Sequence, residues 1–405
     1  MPSFTGMFNT GDFTQDLAKK SFAGMITRLM PNGTAPLFGL TSMLASEIAV
    51  QVEHGFFTKT MLFPSLNLDA AVADATTQVF TVASTANVLP GMIMRVNSTG
   101  ENVIINSVLS ATTVQVTRGV GTVAAAAIAD NVDLYQVGNA YEEGSTRPSA
   151  LNITPARVTN LTQIFRNTWA ITDTARATMV IAGESNVAES RQDCAAFHAA
   201  DIEKALFFGQ KSQGTRNGQP FRTMDGFISI VGNLTYYPPS YAAANVTTAG
   251  ATTTYTQLEA ALDPVFDQAT DPKVANERVM FVGGAAKRVL NNIGRLNGTY
   301  QMIDGATSYG LQFTTIKTAR GTFRIIEHPL FNTNSSWAKM AVVVDLSTFA
   351  VAYLGDRKTK SEEFGGSDSD GLDAVGGTLT TEMTCVIKNP PANAIIYNLT
   401  AGAAG

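Results

Sequence analysis

At 405 residues the chain is long enough to bury a large core, and its 15% of charged side chains is well below the roughly 25% of an average soluble domain. A net charge of −5 without a basic cluster argues against direct, tight binding to nucleic-acid phosphates. The sequence shows neither a secretory signal pattern nor an apolar run of ~18 residues, which predicts no signal peptide and no membrane span.

The N-terminal residues, 1–65, are predicted to form an arm with few contacts of its own. Apolar residues recur at helical spacing in TQDLAKKSFAGMITRLM, residues 14–30, and Pro31, Gly33 and Pro36 end that pattern. An apolar segment follows as far as GFFTKTMLF. Such an arm would hold few contacts of its own unless its apolar side chains pack on something else.

Residues 75–140 consist of short segments in which apolar and polar residues alternate, and turn signals separate these segments. Strands are predicted in TTQVFTVAS, GMIMRVNS, ENVIINSVLS, TTVQVTRG and VDLYQVGNA. Several short strands spaced 8–12 residues apart are typical of a small β-sandwich or barrel, so we predict an inserted all-β domain here. The chain then returns as extended structure from Ala156 to Ala182, where β-branched and aromatic residues favour strand.

A long helix is predicted over residues 187–208. Asn186 is the expected N-cap, Glu189 can reach back to it, and Gly209 is a suitable C′ residue. Asp201 and Lys204 are expected to form an ordinary surface pair on this helix.

The second half of the chain alternates between helix and strand, which predicts an α+β fold. Thr256 with Glu259 suggests a helix start, and Pro264 should kink or split that helix. The other predicted elements are a strand in MDGFISIVGN (224–233), a strand in RVMFVGG, a helix in AAKRVLNNIGRL, a hairpin turning at 319–321, strands in MAVVVDLSTFAVAYL, a Gly/Asp/Ser loop at 361–377, and two closing strands interrupted at 389–391.

Cys194 and His198 lie four residues apart and share one face of the predicted helix. They could be a catalytic thiol with its base, half of a metal site, or packing residues. A Cys–His nucleophile needs an orienting group and an oxyanion hole, and zinc needs about four close ligands; neither is evident. Cys is often buried as a small apolar group, so packing is the favoured interpretation.

The remaining patterns predict no catalytic residue, no cofactor and no metal. The second cysteine, Cys385, makes no CxxC pair with Cys194, and a reducing compartment fits. Asp368, Asp370 and Asp373 resemble a fragment of a calcium loop but lack its order and its distal Glu. A solvated loop is the favoured interpretation of that segment.

Several segments, taken in order, resemble the major capsid proteins of tailed bacteriophages. The main one is ARVTNLTQIFRNTWAITDTARA, followed by the Ala-rich helix that ends in DIEKALFFGQ. Supporting segments are NGTAPLFGLTSML, EEGSTRPSALNITPARV, FVGGAAKRVLNNI and EMTCVIKNPPANAIIYNL. The resemblance is to the SU10-type branch with the HK97-type fold, and it covers most of the chain except residues 75–140.

The resemblance implies a division of the chain that composition alone does not give. The expected parts are an N-terminal arm at 1–65, an extended-loop region at 66–145 that carries the inserted domain, a returning extended-loop strand at 146–182, a peripheral domain with a spine helix at 183–220, an axial domain at 221–345, and peripheral-domain strands at 346–405.

It also implies a function. The chain would be the major head protein of a double-stranded DNA phage, self-assembling into pentamers and hexamers of an icosahedral shell that encloses the genome without sequence-specific binding. Possible further partners are scaffolding, portal and cement or decoration proteins. The expected location is the virion, with assembly in the bacterial host cytoplasm. An encapsulin-like compartment shell and, less favoured, a phage tail or adhesive β protein are the alternatives.

The returning segment supplies the candidate contacts between subunits. Arginine forks pair well with carboxylates, so its arginines could meet neighbouring chains, although simple solvation is an equal alternative. The candidate inter-subunit contacts are Arg157, Phe165, Arg166, Trp169 and Arg176.

Overall fold

A computed structural model describes residues 35–43, 46–59, 64–151, 155–178, 186–237, 243–267, 277–297, 303–304, 314–365 and 373–402. The chain divides into two compact units, a smaller one of residues Phe57–Ala156 and a larger one formed by the residues on either side of it. The predicted helix at 14–30 and the acidic residues Asp368 and Asp370 lie outside the described residues.

The elements are numbered in chain order. The helices are α1 (Pro36–Met43), α2 (Asp173–Ala177), α3 (Asn186–Phe208), α4 (Phe227–Gly232), α5 (Tyr255–Leu262) and α6 (Gly284–Asn297). The strands are β1 (Glu47–Ala49), β2 (Glu53–Thr58), β3 (Ser65–Asn67), β4 (Val79–Thr81), β5 (Met92–Val96), β6 (Asn102–Ser110), β7 (Thr113–Thr117), β8 (Asp133–Asn139), β9 (Ala156–Leu161), β10 (Gln163–Thr172), β11 (Ser212–Arg216), β12 (Gln219–Thr223), β13 (Val246–Thr248), β14 (Glu277–Val282), β15 (Ile303–Asp304), β16 (Thr314–Lys317), β17 (Thr322–Glu327), β18 (Ala341–Val344), β19 (Phe349–Leu354), β20 (Lys360–Gly365), β21 (Ala374–Ile387) and β22 (Ala394–Tyr397).

The smaller unit is one antiparallel sheet in the order β3-β8-β5-β6-β7-β4. Its strands bury alternate residues, as β5 does with Met92, Met94 and Val96, because successive side chains point to opposite faces. The predicted strands are therefore confirmed. The predicted boundary of 75–140 is wrong: Leu66 and Leu68 belong to the same core, so the unit begins earlier in the chain.

In the larger unit, one sheet has the order β1-β19-β21-β10, and β20 also pairs with β21. The predicted loop at 361–377 is therefore wrong at both ends, since residues 360–365 and 374–377 are strand. The predicted extended segment ends earlier than expected, because α2 interrupts it after Thr172; residues 179–182 lie outside the described residues.

A second sheet of the larger unit has the order β13-β22-β18-β14-β17-β16-β15. Alternate residues of β14 enter two different cores: Val279 and Phe281 face the core shared with the first sheet, and Met280 and Val282 face α5 and α6. Strand β22, residues 394–397 of the predicted segment 346–405, pairs with β13 and β18 in this sheet, whereas β19 and β21 of the same segment lie in the first sheet.

Of three local predictions in this unit, two are wrong and one is confirmed. Residues 227–232 are helix instead of strand, because Phe227, Ile230 and Val231 all turn into the core. The N-cap of α5 is Thr254, in a capping box with Gln257, and not Thr256. A 3-10 turn containing Pro264 follows α5, as the predicted break required.

Candidate assembly surfaces

Helix α3 is the longest helix that the structure describes, and it packs against α1, α4, β10 and β21. It has 23 residues, which gives a length of about 34 Å at 1.5 Å per residue. Asn186 is the first residue of α3 and its side-chain amide donates to the carbonyl of Ala175 at 2.9 Å, while its role as N-cap stays a prediction. At the other end Gly209 allows close approach, since a Cβ there would lie 2.6 Å from the Met224 carbonyl oxygen.

His198 lies on the buried face of α3 and bridges the helix to both β10 and β21. Its Nδ1 lies 2.7 Å from Oδ1 of Asn167, and its Nε2 lies 2.7 Å from Oγ1 of Thr381. Asn167 donates its amide to Asp201 at 3.1 Å, so its Oδ1 is the acceptor for an Nδ1–H of His198. Nε2 can then accept from the hydroxyl of Thr381, which fits a neutral ring.

Cys194 lies one turn before His198 and is 5% exposed. Burial raises the pKa of the Cys194 thiol. Burial also lowers the pKa of His198, and the carboxylate of Asp201 opposes this shift. A nucleophilic cysteine needs the reverse, a thiolate beside an imidazolium. The pair is therefore two packing residues, one of which also hydrogen-bonds.

Glu203, on the same face of α3, is a fully buried carboxylate with three hydrogen-bond partners. It accepts from the backbone N–H of Leu37 at 2.8 Å and of Phe38 at 2.7 Å, in the first turn of α1. It also contacts Nε2 of His328 at 2.7 Å. These donors offset the cost of burying the charge and fasten α1 to α3.

An aromatic cluster surrounds this buried pair. The ring of His328 stacks on Phe331 at 4.5 Å between centroids and meets Phe207 edge-on at 5.0 Å. Phe281 approaches from β14 at 5.9 Å. Water is thereby kept from the carboxylate of Glu203, which strengthens its hydrogen bonds.

Near the C-terminal end of β9, the side chain of Asn160 is a second buried polar group with several hydrogen bonds. Asn160 donates to the carbonyls of Asp225 and Cys385 at 3.0 and 2.9 Å and accepts from the N–H of Asp225 at 2.8 Å. Tyr236 donates to the Asp225 carboxylate at 2.5 Å, and burial followed by this hydrogen bond raises the pKa of Tyr236. Burial likewise raises the pKa of Cys385, whose thiol donates to the Asp225 carbonyl at 3.1 Å.

The smaller unit has its own buried ion pair. Arg118 binds Glu101 through two nitrogens, at 3.0 Å from Nε and 2.6 Å from Nη2, and both side chains are almost fully buried. Burial would raise the pKa of Glu101, but the hydrogen bonds from Arg118 and from the N–H of Gly119 outweigh it and leave the pKa lowered. Arg118 also donates to the carbonyls of Asp74 and Ala126, which fixes the loop after β7.

Two of the five predicted contact residues are core residues of their own chain. Phe165 is 6% exposed and belongs to the core between the two sheets. Trp169 is 6% exposed and covers Gly377, where a Cβ would lie 2.8 Å from its Nε1. The structure thus removes Phe165 and Trp169 from the candidate contacts, because the outward positions of β10 are the alternate ones.

The three predicted arginines lie at the surface. Arg157 is 3.4 Å from Glu53, and Arg176 is 3.4 Å from Asp173, with all four side chains 40–60% exposed. Arg166 is exposed on β10. Exposed pairs of this kind contribute little to subunit stability, so these side chains can exchange partners. As expected, Asp201 and Lys204 form a surface pair, at 3.6 Å.

Large apolar side chains are exposed on several elements of the larger unit. This is notable because charged residues are scarce, and clustered exposed apolar groups mark interaction surfaces. The most exposed of them are Ile48 at 66%, Val50 at 88% and Phe197 at 60%. None of them appeared among the sequence-predicted contacts.

A cavity of about 720 Å³ lies beside α6. Four of the residues that line it are paired: Lys287 contacts Glu327 at 3.2 Å, and Asn332 accepts from the N–H of Gly284 at 2.7 Å. In the part of the chain that the structure describes, no group of three or more His, Cys, Asp or Glu side chains could hold a metal ion. No helix among those residues is long and apolar enough to cross a membrane.

Comparisons with known proteins identify the family. The model of the SU10 major capsid protein family matches residues 4–400. The major capsid protein of Pseudomonas phage PaMx41 is 41% identical over 412 residues, covering 98% of this chain and 97% of that protein.

Solved structures are more distant. The capsid of an empty GTA particle has a TM-score of 0.47 at 11% identity, covering 98% of this chain and all of that one. A chain of Mycobacterium phage Patience has a TM-score of 0.45 at 14% identity, covering 64% and 75%. The assignment rests on the sequence matches, which span nearly the whole chain. The chain belongs to the SU10 major capsid protein family.

Proposed function

We propose that many copies of this chain form the pentamers and hexamers of the icosahedral head of a tailed phage, which encloses double-stranded DNA. The observation that carries the proposal is the 41% identity to a phage major capsid protein over 98% of the chain. The scarcity of charge, 15% of residues, supports it because charged residues are depleted at the cores of interfaces.

The interior of the larger unit supports a subunit that assembles as a rigid body. Helix α3 is fastened to α1 through Glu203 and to both β10 and β21 through His198. Buried polar groups with satisfied hydrogen bonds specify one arrangement of the elements they join. We expect this body to keep its shape while contacts between copies form at its surface.

We further propose an HK97-type layout. In it, α3 is the spine helix of a peripheral domain, and the sheet containing β14, β17, β18 and β22 forms an axial domain. The arm predicted at residues 1–65 would be limited to the residues before α1, because α1 and β1 bond within the larger unit. The unit of residues 57–156 takes the place of the extended loop and its insertion, and either clamps neighbouring capsomers or projects outward. Arg157, Arg166 and Arg176 remain candidate contacts with neighbouring copies.

The phage head is favoured over an encapsulin-like compartment, because the near full-length sequence match is to a phage protein. Scaffolding, portal and decoration proteins would be further partners, and assembly would take place in the host cytoplasm. The genome would be enclosed without sequence-specific contacts, since a net charge of −5 provides no electrostatic footprint for it.

Sedimentation velocity and light scattering on the purified chain test the proposal, with and without co-expressed scaffolding protein. We expect fast-sedimenting closed particles that electron micrographs show to be uniform in diameter. A triple variant, Ile48→Asp, Val50→Asp and Phe197→Asp, serves as the comparison, because it places charges on exposed apolar sites. It should remain a folded subunit that sediments slowly. Persistence of wild-type protein as monomer under both conditions would contradict the proposal.

A further inference from the structure

Strand β1 forms one edge of its sheet and pairs with β19 on one side. The pairing is parallel, with Glu47, Ile48 and Ala49 opposite Ala352, Tyr353 and Leu354. The carbonyl of Ala49 accepts from the N–H of Gly355 at 2.9 Å, so Ala49 is a residue whose backbone groups face β19. Because alternate residues of a strand direct these groups to opposite sides, the N–H and C=O of Ile48 face the other side, which is an open edge among the residues that the structure describes.

The side chains along this edge are apolar and exposed. Ile48 is 66% exposed and Val50 is 88% exposed, whereas Ala49 between them is fully buried. Soluble proteins normally protect a free edge with lysine, proline, a bulge or a covering element. The segment Glu47–Val50 contains neither lysine nor proline, and the pairing of β1 with β19 shows no bulge.

The one charge on β1 is already neutralised within the chain. One oxygen of the Glu47 carboxylate contacts Nζ of Lys388, and the other lies 3.2 Å from Nε2 of His54. Like charges placed opposite each other on neighbouring strands destabilise pairing. Here the edge offers hydrogen-bonding groups and apolar side chains to an incoming strand without a free carboxylate to repel it.

We propose that in the assembled shell a strand from a second copy of this chain completes the sheet at β1. It would hydrogen-bond to Ile48 and cover the side chains of Ile48 and Val50. Strand addition of this kind takes its affinity from main-chain hydrogen bonds and its specificity from flanking side chains. The inference rests on the proposed function, because a second copy is the partner that a self-assembling subunit always meets.

Hydrogen exchange tests the proposal on wild-type particles and on free subunits separated from the same preparation. The peptide covering residues 46–52 should exchange at least about tenfold more slowly in particles than in free subunits. The same peptide should show this protection in every preparation that contains closed particles.

Substitutions provide the second arm. Ile48→Pro removes the N–H that faces the open edge, and proline is tolerated where that group faces solvent, so the subunit should fold normally but form at least about tenfold fewer particles. Ile48→Val is the matched control and should assemble like the wild type. Ala49→Pro removes an N–H that faces β19 and should lower the melting temperature of the free subunit.

The outcomes separate this inference from the function. If wild-type shells form but residues 46–52 exchange equally fast in both states, and Ile48→Pro also forms shells, the strand addition is wrong and the function stands. Slow exchange of residues 46–52 in both states would show that the chain's own residues cover β1, which also overturns the inference. If the wild type forms no particles at all, both proposals fail.

Discussion

The carboxylate of Glu203 and the imidazole of His328 meet at 2.7 Å, although the two residues are 125 positions apart in the sequence. The N–H of Leu330 donates to Nδ1 of His328 at 3.2 Å, so Nε2 carries the proton that faces Glu203. Both side chains are fully buried. This contact joins α3 to the turn after β17, while the other donors to Glu203 join α3 to α1.

The first prediction concerns this contact. Glu203→Gln should destabilise the larger unit by about 3 kcal/mol, because an amide nitrogen would face N–H donors that now bind a carboxylate. Urea unfolding measures the loss, and hydrogen exchange over residues 35–43 should rise in parallel. Asp201→Asn, on the exposed side of the same helix, should stay within about 0.5 kcal/mol of the wild type. Equal effects of the two variants would contradict the role given to Glu203.

The second prediction concerns the smaller unit. Arg118→Met should destabilise residues 57–156 by about 3 kcal/mol, because Glu101 would remain buried without its partner. Adding Glu101→Leu should recover part of the loss, since no unpaired charge is then buried. Peptide-level hydrogen exchange can follow this unit separately. If the double variant is less stable than the single one by the full cost of a second substitution, the two residues do not act as a pair.

The third prediction separates core residues from surface residues on β10. Trp169→Ala should cost about 3–5 kcal/mol of subunit stability, because it empties a buried site over Gly377. Arg166→Ala should leave the subunit within about 0.5 kcal/mol of the wild type. Thermal unfolding of free subunits measures both. A large loss for Arg166→Ala would place that arginine in the subunit's own packing.

The fourth prediction is a pH dependence at His198. Burial lowers the pKa of His198 below its ordinary value of 6.5, against the opposing carboxylate of Asp201. The unfolded chain therefore takes up this proton at a higher pH than the folded chain does, and stability is lost as the pH falls below that value. His198→Gln should show a weaker fall in unfolding free energy between about pH 7 and pH 5 than the wild type. Identical slopes would exclude His198 as a source of the pH dependence.

A fifth prediction concerns Cys194. Cys194→Ser places a hydroxyl where a buried thiol packs, so a modest loss of about 1–2 kcal/mol is expected from the unfolding curve. Closed particles should still form, because the residue lies on the inner face of α3. Loss of particles from a subunit of normal stability would indicate a role for the thiol in assembly.

The sequence predicted those elements whose pattern is strong and local. Helix α6, the β16–β17 hairpin and the strands of the smaller unit follow apolar periodicity and turn residues, and the structure confirms them. Residues 227–232 were predicted as strand because FISIV is apolar and partly β-branched. Their helix is decided by the core that surrounds Phe227 and Ile230, and this tertiary information is missing from a short apolar run.

The site could be predicted less well than the fold. The predicted inter-subunit contacts include Phe165 and Trp169, which the structure buries, because a strand pattern shows which residues alternate but not which face is buried. Glu203 gave one signal, a carboxylate on the face of α3 that also carries Ile202, Leu206 and Phe207. Its partners lie 125 to 166 positions away, so no local spacing could reveal them. The open edge of β1 likewise depends on pairing with a strand about 300 residues later.

A cryo-electron microscopy reconstruction of particles formed by the purified protein decides whether this chain is a shell-forming subunit. We expect closed icosahedral shells in which each pentamer and hexamer position holds one copy, with the same α3 and the same two sheets in every copy. Particles without pentamers and hexamers, or a preparation that contains folded monomers and no shells even with its scaffolding partner, would contradict it.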